Sequence, residues 1–204
     1  MNTDDSTASM QHVEYVMGMA VSFDIRQPLP TSPALDSAID WLHHVDTTFS
    51  TYKSDSAISR LGRGELAVYD VTPEVQRVLL RCIQLTTNTN GAFDAFAVPA
   101  PNGTSLDPSG LVKGWSIEHA ANLLEQHGAN NFCINAGGDI VVRGNPEPGR
   151  PWRAGIRHPQ QRDQQAFVLS LTGSHAIATS ATYERGAHII DPATCTPTTE
   201  LASA

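Results

Sequence analysis

Apolar residues recur along this chain in two periods, and the switches between them mark out its elements. From Tyr15 to Ile25 β-branched, aromatic and small residues alternate roughly one by one, which predicts a strand ended by Pro28, Pro30 and Pro33. Leu35, Ala38, Ile39, Leu42, Val45 and Phe49 then fall three or four apart and predict a helix over 34–49. After a polar loop at 50–56, Ile58 and Leu61 ahead of Gly62 and Gly64 read as a short helical turn that breaks. Thr72-Pro73-Glu74 is a helix start. The threonine hydroxyl can cap, the proline sits where a missing N–H costs nothing, and the acid faces the positive end of the dipole. Val75, Val78, Leu79, Cys82, Ile83 and Leu85 carry that helix on until Gly91. Lys113 to His127 predicts another helix, closed by Gly128.

The second half returns to period two. Strands are expected at 131–135, 139–143, 152–157, 166–171 and 175–179, with Gly137-Gly138 as the turn between the first pair. Short strands with tight returns among about three main helices predict an α+β fold with a largely antiparallel sheet. The polar, acidic stretch 1–12 is expected to be a disordered tail, and 13–204 a single domain.

Composition narrows the possible functions. The chain has 204 residues, 40% hydrophobic and 17% charged, which suits a folded protein. Its net charge of −8 repels nucleic-acid backbones, so no nucleic-acid partner is expected. A phosphate-bearing small molecule is still admissible, because backbone N–H groups and one lysine can hold it locally. The N-terminal residues lack a basic-then-apolar leader, and no apolar run approaches a bilayer's width, so a cytoplasmic protein without membrane contact is expected. Cys82, Cys133 and Cys195 are too far apart for a metal knuckle or redox pair, and the first two read as core residues.

Four stretches carry candidate chemistry, each with a plainer structural reading beside it. In Asp107-Pro108-Ser109-Gly110-Leu111-Val112-Lys113-Gly114-Trp115 an acid, a serine and a lysine meet at a helix start. Unpaired N–H groups and the dipole there attract anions such as a pyrophosphate, although a capped surface helix would read the same way. Asn135-Ala136-Gly137-Gly138-Asp139 lets backbone approach a ligand, or simply turns. Gly91-Ala92-Phe93-Asp94 offers an aromatic and an acid to a ring and a ribose, or a helix cap and a core phenylalanine. Ala178 to Arg185 followed by His188-Ile189-Ile190-Asp191-Pro192 offers hydroxyls and a proton acceptor, or a strand end. The adjacent His43 and His44 do not share a helix face, and His12, His119, His127 and His158 have no metal-like spacing and are expected to be solvated.

The order of these segments, with Met17-Gly18, Ser50-Thr51-Tyr52, Asp55-Ser56 and Trp152 to Pro159, resembles the ApbE family of FAD:protein FMN transferases over about residues 15–198. The resemblance implies an ApbE-like α+β fold with FAD between lobes, and transfer of FMN from FAD to a serine or threonine of an acceptor flavoprotein. AMP would leave, with Mg²⁺ assisting. It also admits FAD hydrolysis to FMN and AMP, or FAD binding without transfer. By match, the implied flavin contacts are Met17, Tyr52, Ala92, Phe93, Asp94, Ser109, Trp115 and Ile190. Lys113 and His188 are the implied catalytic residues, His188 accepting the acceptor's proton, and the Val112 carbonyl is the implied metal ligand. The family pattern continues with a strand and a helix carrying a metal-binding acid and threonine, so this chain is expected to lack both and to keep at most one metal ligand. Ala181, Ala193 and Cys195 depart from the pattern, and Cys195 stands where a glycine is usual, in a turn that calls for positive φ.

Overall fold

Tyr15 to Ile25 does not run as one strand; it folds back on itself. The structure, a computed structural model, describes residues 9–26, 33–97, 99–161, 163–181, 186, 189–198 and 203–204. In it β1 (Met10–Val16) pairs antiparallel with β2 (Met19–Ile25), with Val16 opposite Met19. Met17 (φ 54°) and Gly18 (φ 69°) between them have the sign pattern of a type I′ hairpin turn. A methionine rarely adopts positive φ, so its apolar side chain disguised the turn as strand interior. The same ladder draws Met10 to His12 out of the expected tail, since Met10 lies opposite Ile25 and His12 opposite Phe23.

The described residues cluster into two compact units. The sheet unit, Met1–Leu42 and Ile117–Thr179, holds a five-stranded antiparallel sheet in the order β1-β2-β3-β4-β7. Here β3 is Phe132–Ala136, β4 is Asp139–Arg143 and β7 is His175–Ile177. Alternation sends Val21, Phe23, Ile25, Phe132, Ile134 and Ala136 to one face. They pack there with Leu35, Ala38 and Leu42 of α1 (Pro33–Phe49) and with Ile117, Ala121 and Leu124 of α4 (Ser109–Gln126). Cys133, Ile140 and Val142 go to the other face, against Trp152 and Ala154 of β5 (Trp152–Arg157) and Leu171 of β6 (Gln165–Leu171). A sheet covered on both faces explains why β3 and β4 read as nearly continuous apolar runs. Burying a side chain such as Phe132 contributes about 1.5–3 kcal/mol. Arg143 adds a polar clamp from β4 to α4, donating to Glu118 (2.7 Å) and Glu125 (3.0 Å), while its carbonyl accepts the Trp152 indole N–H (3.1 Å).

The helical unit, His43–Ser116 and Ser180–Ala204, contains α2 (Ala57–Gly62), a single 3₁₀ turn at Val68–Asp70, α3 (Pro73–Asn88) and the two-residue pair β8 (Ile190–Asp191) and β9 (Thr196–Pro197). Its buried apolar residues include Val45, Phe49, Ile58, Val75, Leu79 and Val112. The start of α3 is the expected one, with the Thr72 hydroxyl accepting the Val75 N–H. α4 starts at Ser109, a turn before the expected Lys113. Pro108 supplies the carbonyl that takes the Leu111 and Val112 N–H groups, and the Asp107 carboxylate takes the Ser109 N–H (2.9 Å) and its hydroxyl. Among the described residues, three long helices and one short one with the antiparallel sheet give the expected α+β class. α2 is the helical turn anticipated ahead of Gly62 and Gly64.

Candidate functional site

In the helical unit, several separate motif segments meet around the first two turns of α4. The Phe93 ring lies against Gly110, where a Cβ atom would stand 3.1 Å from a ring carbon. The Asp107 N–H donates to the Ala95 carbonyl (2.8 Å), tying the segment after α3 to the entry of α4. That segment is itself held by the Thr89 hydroxyl oxygen, which accepts the Phe93 N–H (3.0 Å), and by Asp94, one oxygen of which accepts the Phe96 N–H (2.8 Å). Trp115 meets Phe49 edge to face, centroids 5.4 Å apart and planes at 67°. Phe49 ends α1, directly before Ser50-Thr51-Tyr52, and in this loop Thr51 is buried while Tyr52 is 84% exposed.

The β8–β9 hairpin joins the same assembly. The Asp191 side chain accepts the Ala193 N–H (2.9 Å) and the Thr194 hydroxyl (3.1 Å), and its carbonyl accepts the Cys195 N–H (2.8 Å). Cys195 has φ 53°, the left-handed conformation expected where the family pattern has glycine, and its Sγ lies 3.6 Å from the Ala97 carbonyl. Of the expected contact residues, Phe93, Asp94, Ser109 and Trp115 take part in these packing and hydrogen-bond contacts, Ala92 and Tyr52 lie in the segments beside them, and Ile190 starts the hairpin that reaches Ala97. Lys113 lies in the second turn of α4 rather than at its start. His188 and 182–185 lie outside the described residues. Aromatic rings, a helix start, a lysine and an acid suit a flat ring carrying an anion.

In the sheet unit the motif residues collect at one end of the sheet. The Met17-Gly18 and Gly137-Gly138 turns lie side by side because Val21 pairs with Ala136. Both glycines of the second turn have positive φ. Gly138 donates its N–H to Asn135 Oδ1 (3.0 Å), while Thr179 donates its N–H to Asp139 Oδ1 (3.0 Å) and its hydroxyl to the Gly138 carbonyl (3.2 Å). β7, expected to reach Thr179, stops at Ile177 because these bonds turn the chain away from the ladder.

Charged and sulfur groups sort as follows. Burial pushes the Cys82 and Cys133 thiols up to about 11, consistent with core residues. The histidines expected to be solvated are partly engaged: His119 stacks on Trp41 at 3.9 Å, His12 bonds Glu14, and His158 Nδ1 accepts the Gln160 and Gln161 N–H groups. Among the described residues no group of three or more His, Cys, Asp or Glu could hold a metal ion. Val112, the expected carbonyl ligand, is buried in α4, where a helix carbonyl ordinarily takes the N–H four residues on. Mg²⁺ ordinarily takes only one or two carboxylates from a protein, with waters and substrate phosphate completing its shell. An apolar groove of about 410 Å³, lined by Leu61, Val68, Leu79, Phe96 and Leu106 among others, contains none of the expected contact residues.

Sequence reasoning missed Phe49 as the support of Trp115. It also missed Ser59, Asn102 and Thr104, which lie beneath the Tyr52 loop: Asn102 Nδ2 donates to Ser59 Oγ (2.9 Å) across 43 positions of sequence. No local pattern marks such a contact.

The comparisons with known proteins agree with one another. The family model described as the ApbE family matches residues 17–102 and 97–204. A curated protein of Vibrio cholerae serotype O1, named FAD:protein FMN transferase, is 27% identical over 227 residues, spanning 85% of this chain and 68% of that protein. One of Salmonella typhimurium with the same name is 24% identical over 216 residues, spanning 78% of this chain and 60% of its own length. Among solved structures, the flavin transferase ApbE of Vibrio cholerae superposes with a TM-score of 0.82 at 25% identity, over 96% of this chain and 80% of that one. The ApbE protein of Thermotoga maritima gives the same TM-score at 19% identity, which bears on the fold alone. A match over nearly the whole sequence, the same antiparallel α+β architecture and relatives that are named transferases establish that this chain belongs to the ApbE family.

Proposed function

We propose that this protein moves FMN from FAD onto a serine or threonine hydroxyl of an acceptor flavoprotein and releases AMP. The observation that carries this is the convergence of the Tyr52 loop, the Ala92-Phe93-Asp94 segment and the Asp107–Trp115 helix entry within one unit, in a chain whose relatives are named FAD:protein FMN transferase. In the proposed reaction the acceptor oxygen bonds to the FMN-side phosphorus and the P–O bond to AMP breaks. The hydroxyl proton passes to His188. Phosphoryl transfer of this kind depends mainly on positioning and charge neutralisation.

The proposed roles of the described residues follow from their chemistry. Tyr52 and Trp115 offer ring faces to the isoalloxazine or adenine, and the free oxygen of Asp94 suits a ribose or amino donor. Lys113 supplies a positive charge to phosphate, and the Ser109 hydroxyl, held by Asp107 in the free protein, would turn to it. Phe93 and Ile190 supply apolar contact, and Ala92 leaves room for it. Magnesium dependence belongs to the same proposal and would neutralise charge on the pyrophosphate, with Val112 as one ligand. No described helix is long and apolar enough to cross a membrane. A cytoplasmic setting is proposed from three unpaired cysteines, which suit a reducing compartment.

The test is to incubate the purified chain with FAD, Mg²⁺ and an acceptor flavoprotein domain, then record the acceptor's intact mass and the AMP released. A mass gain of one FMN, with AMP formed in step, is expected. AMP without a mass gain would reassign the protein as an FAD hydrolase, and FAD binding with neither product as a flavin carrier. Replacing His188 by alanine is expected to slow transfer while leaving FAD binding intact; an unchanged rate removes His188 from the reaction.

A further inference from the structure

Two loops of the helical unit, 43 positions apart in sequence, are joined by a continuous chain of side-chain hydrogen bonds. It begins at the Ser50 carbonyl, which accepts the hydroxyls of Ser56 (2.6 Å) and Ser59 (3.3 Å). Ser56 also caps α2, its oxygen accepting the Ser59 N–H (3.0 Å). The Ser59 hydroxyl oxygen in turn accepts Asn102 Nδ2 (2.9 Å). Asn102 Oδ1 accepts both the N–H (3.0 Å) and the hydroxyl (2.8 Å) of Thr104. Thr104 rests against Gly62, where even a Cβ atom would stand 2.5 Å from its oxygen.

Ser56 and Ser59 are almost fully buried, at 2% and 0% exposure, so water does not substitute for a lost bond here at no cost. Each end of the chain leads to an expected flavin contact. At one end the Ser50 carbonyl fixes the loop in which Thr51 is buried and Tyr52 projects into solvent. At the other, Thr104 is followed by Leu106 and then Asp107, whose N–H holds Ala95 and whose carboxylate opens α4 at Ser109. The Tyr52 loop and the α4 entry therefore share one relay, buried at Ser56 and Ser59 and half-buried at Asn102 and Thr104.

We propose that Ser59 and Asn102 are positioning residues that couple the Tyr52 loop to the α4 entry, so that a ring contact and a phosphate contact are held in register before the ligand arrives. This rests on the reading of the site as one for FAD. It also makes a statement about the protein without ligand: loosening the 102–104 turn should loosen residues 50–56.

The experiment combines FAD titration with amide hydrogen exchange on wild type, Ser59→Ala, Asn102→Ala and the double variant, with melting temperatures measured alongside. Each single variant is expected to weaken FAD binding about tenfold, the worth of roughly one buried hydrogen bond. The double variant should be no weaker than the poorer single one, since both cut the same relay. Without FAD, Asn102→Ala should speed exchange in the 50–56 peptide as well as in its own turn. Should Asn102→Ala fail to fold, Thr104→Val cuts the far end of the relay while keeping the shape that faces Gly62. Unchanged affinity, losses that multiply in the double variant, or faster exchange confined to 100–106 would each overturn the coupling while leaving FAD binding in place. A wild-type chain that binds no FAD would overturn both the coupling and the reading beneath it.

Discussion

Each unit of this chain buries an apolar core, but the two differ in the regular structure built over it. In the sheet unit, regular ladders place apolar side chains on both faces of one sheet, and Phe23, Ile25, Phe132 and Ile134 are at most 1% exposed. In the helical unit the described strands reduce to a two-residue pair, and its loops are fixed by side chains bonded to main chain: Ser56 and Ser59 on Ser50, Asp94 on Phe96, Asp107 on Ser109 and Asp191 on Ala193. Apolar burial is non-directional and tolerates small displacements, whereas hydrogen bonds specify positions to a few tenths of an ångström. The helical unit is thus the better frame for the proposed site.

That contrast can be broken by substitution. The largest effect is expected from Phe132→Ala, which empties the centre of the sheet's helix-facing core and should cost about 3–5 kcal/mol in urea unfolding. Gly62→Ala drives a methyl into Thr104 and should cost about 1–3 kcal/mol, with faster amide exchange at 50–56. If Gly62→Ala cost more than Phe132→Ala, the assignment of bulk stability to the sheet unit would fail. Arg143→Met removes the clamp on Glu118 and Glu125; those carboxylates are 49% and 41% exposed and can return to water, so about 1–2 kcal/mol is expected. The smallest effect has the opposite sign. Cys195→Gly relieves a left-handed residue with a Cβ atom and should raise stability by about 1 kcal/mol, read as a higher melting temperature.

The same contrast explains what the sequence disclosed. Elements governed by periodicity or by local cap chemistry were legible: β4 and β5 fall on their expected bounds, and Thr72-Pro73 opens α3. The β1–β2 hairpin was not, because Met17 occupies a conformation that its residue type seldom adopts. α4 was expected to start a turn late, since the Asp107 cap lies ahead of the apolar repeat. In the site, the order of the segments was visible, but what joins them was not. The Phe93–Gly110 approach, the Phe49–Trp115 pair and the Ser59–Asn102 bond connect residues far apart in sequence and leave no spacing to find.

The uneven burial of the three thiols has a practical consequence. With their thiols raised to about 11, Cys82 and Cys133 are about one part in a thousand thiolate at pH 8, and Cys82 is also buried, whereas Cys195 is exposed. The folded protein should therefore react rapidly with one equivalent of a thiol reagent, and with three only after unfolding. A fluorophore attached at Cys195 would sit beside Ala97, at a native residue close to the proposed site, with no cysteine introduced.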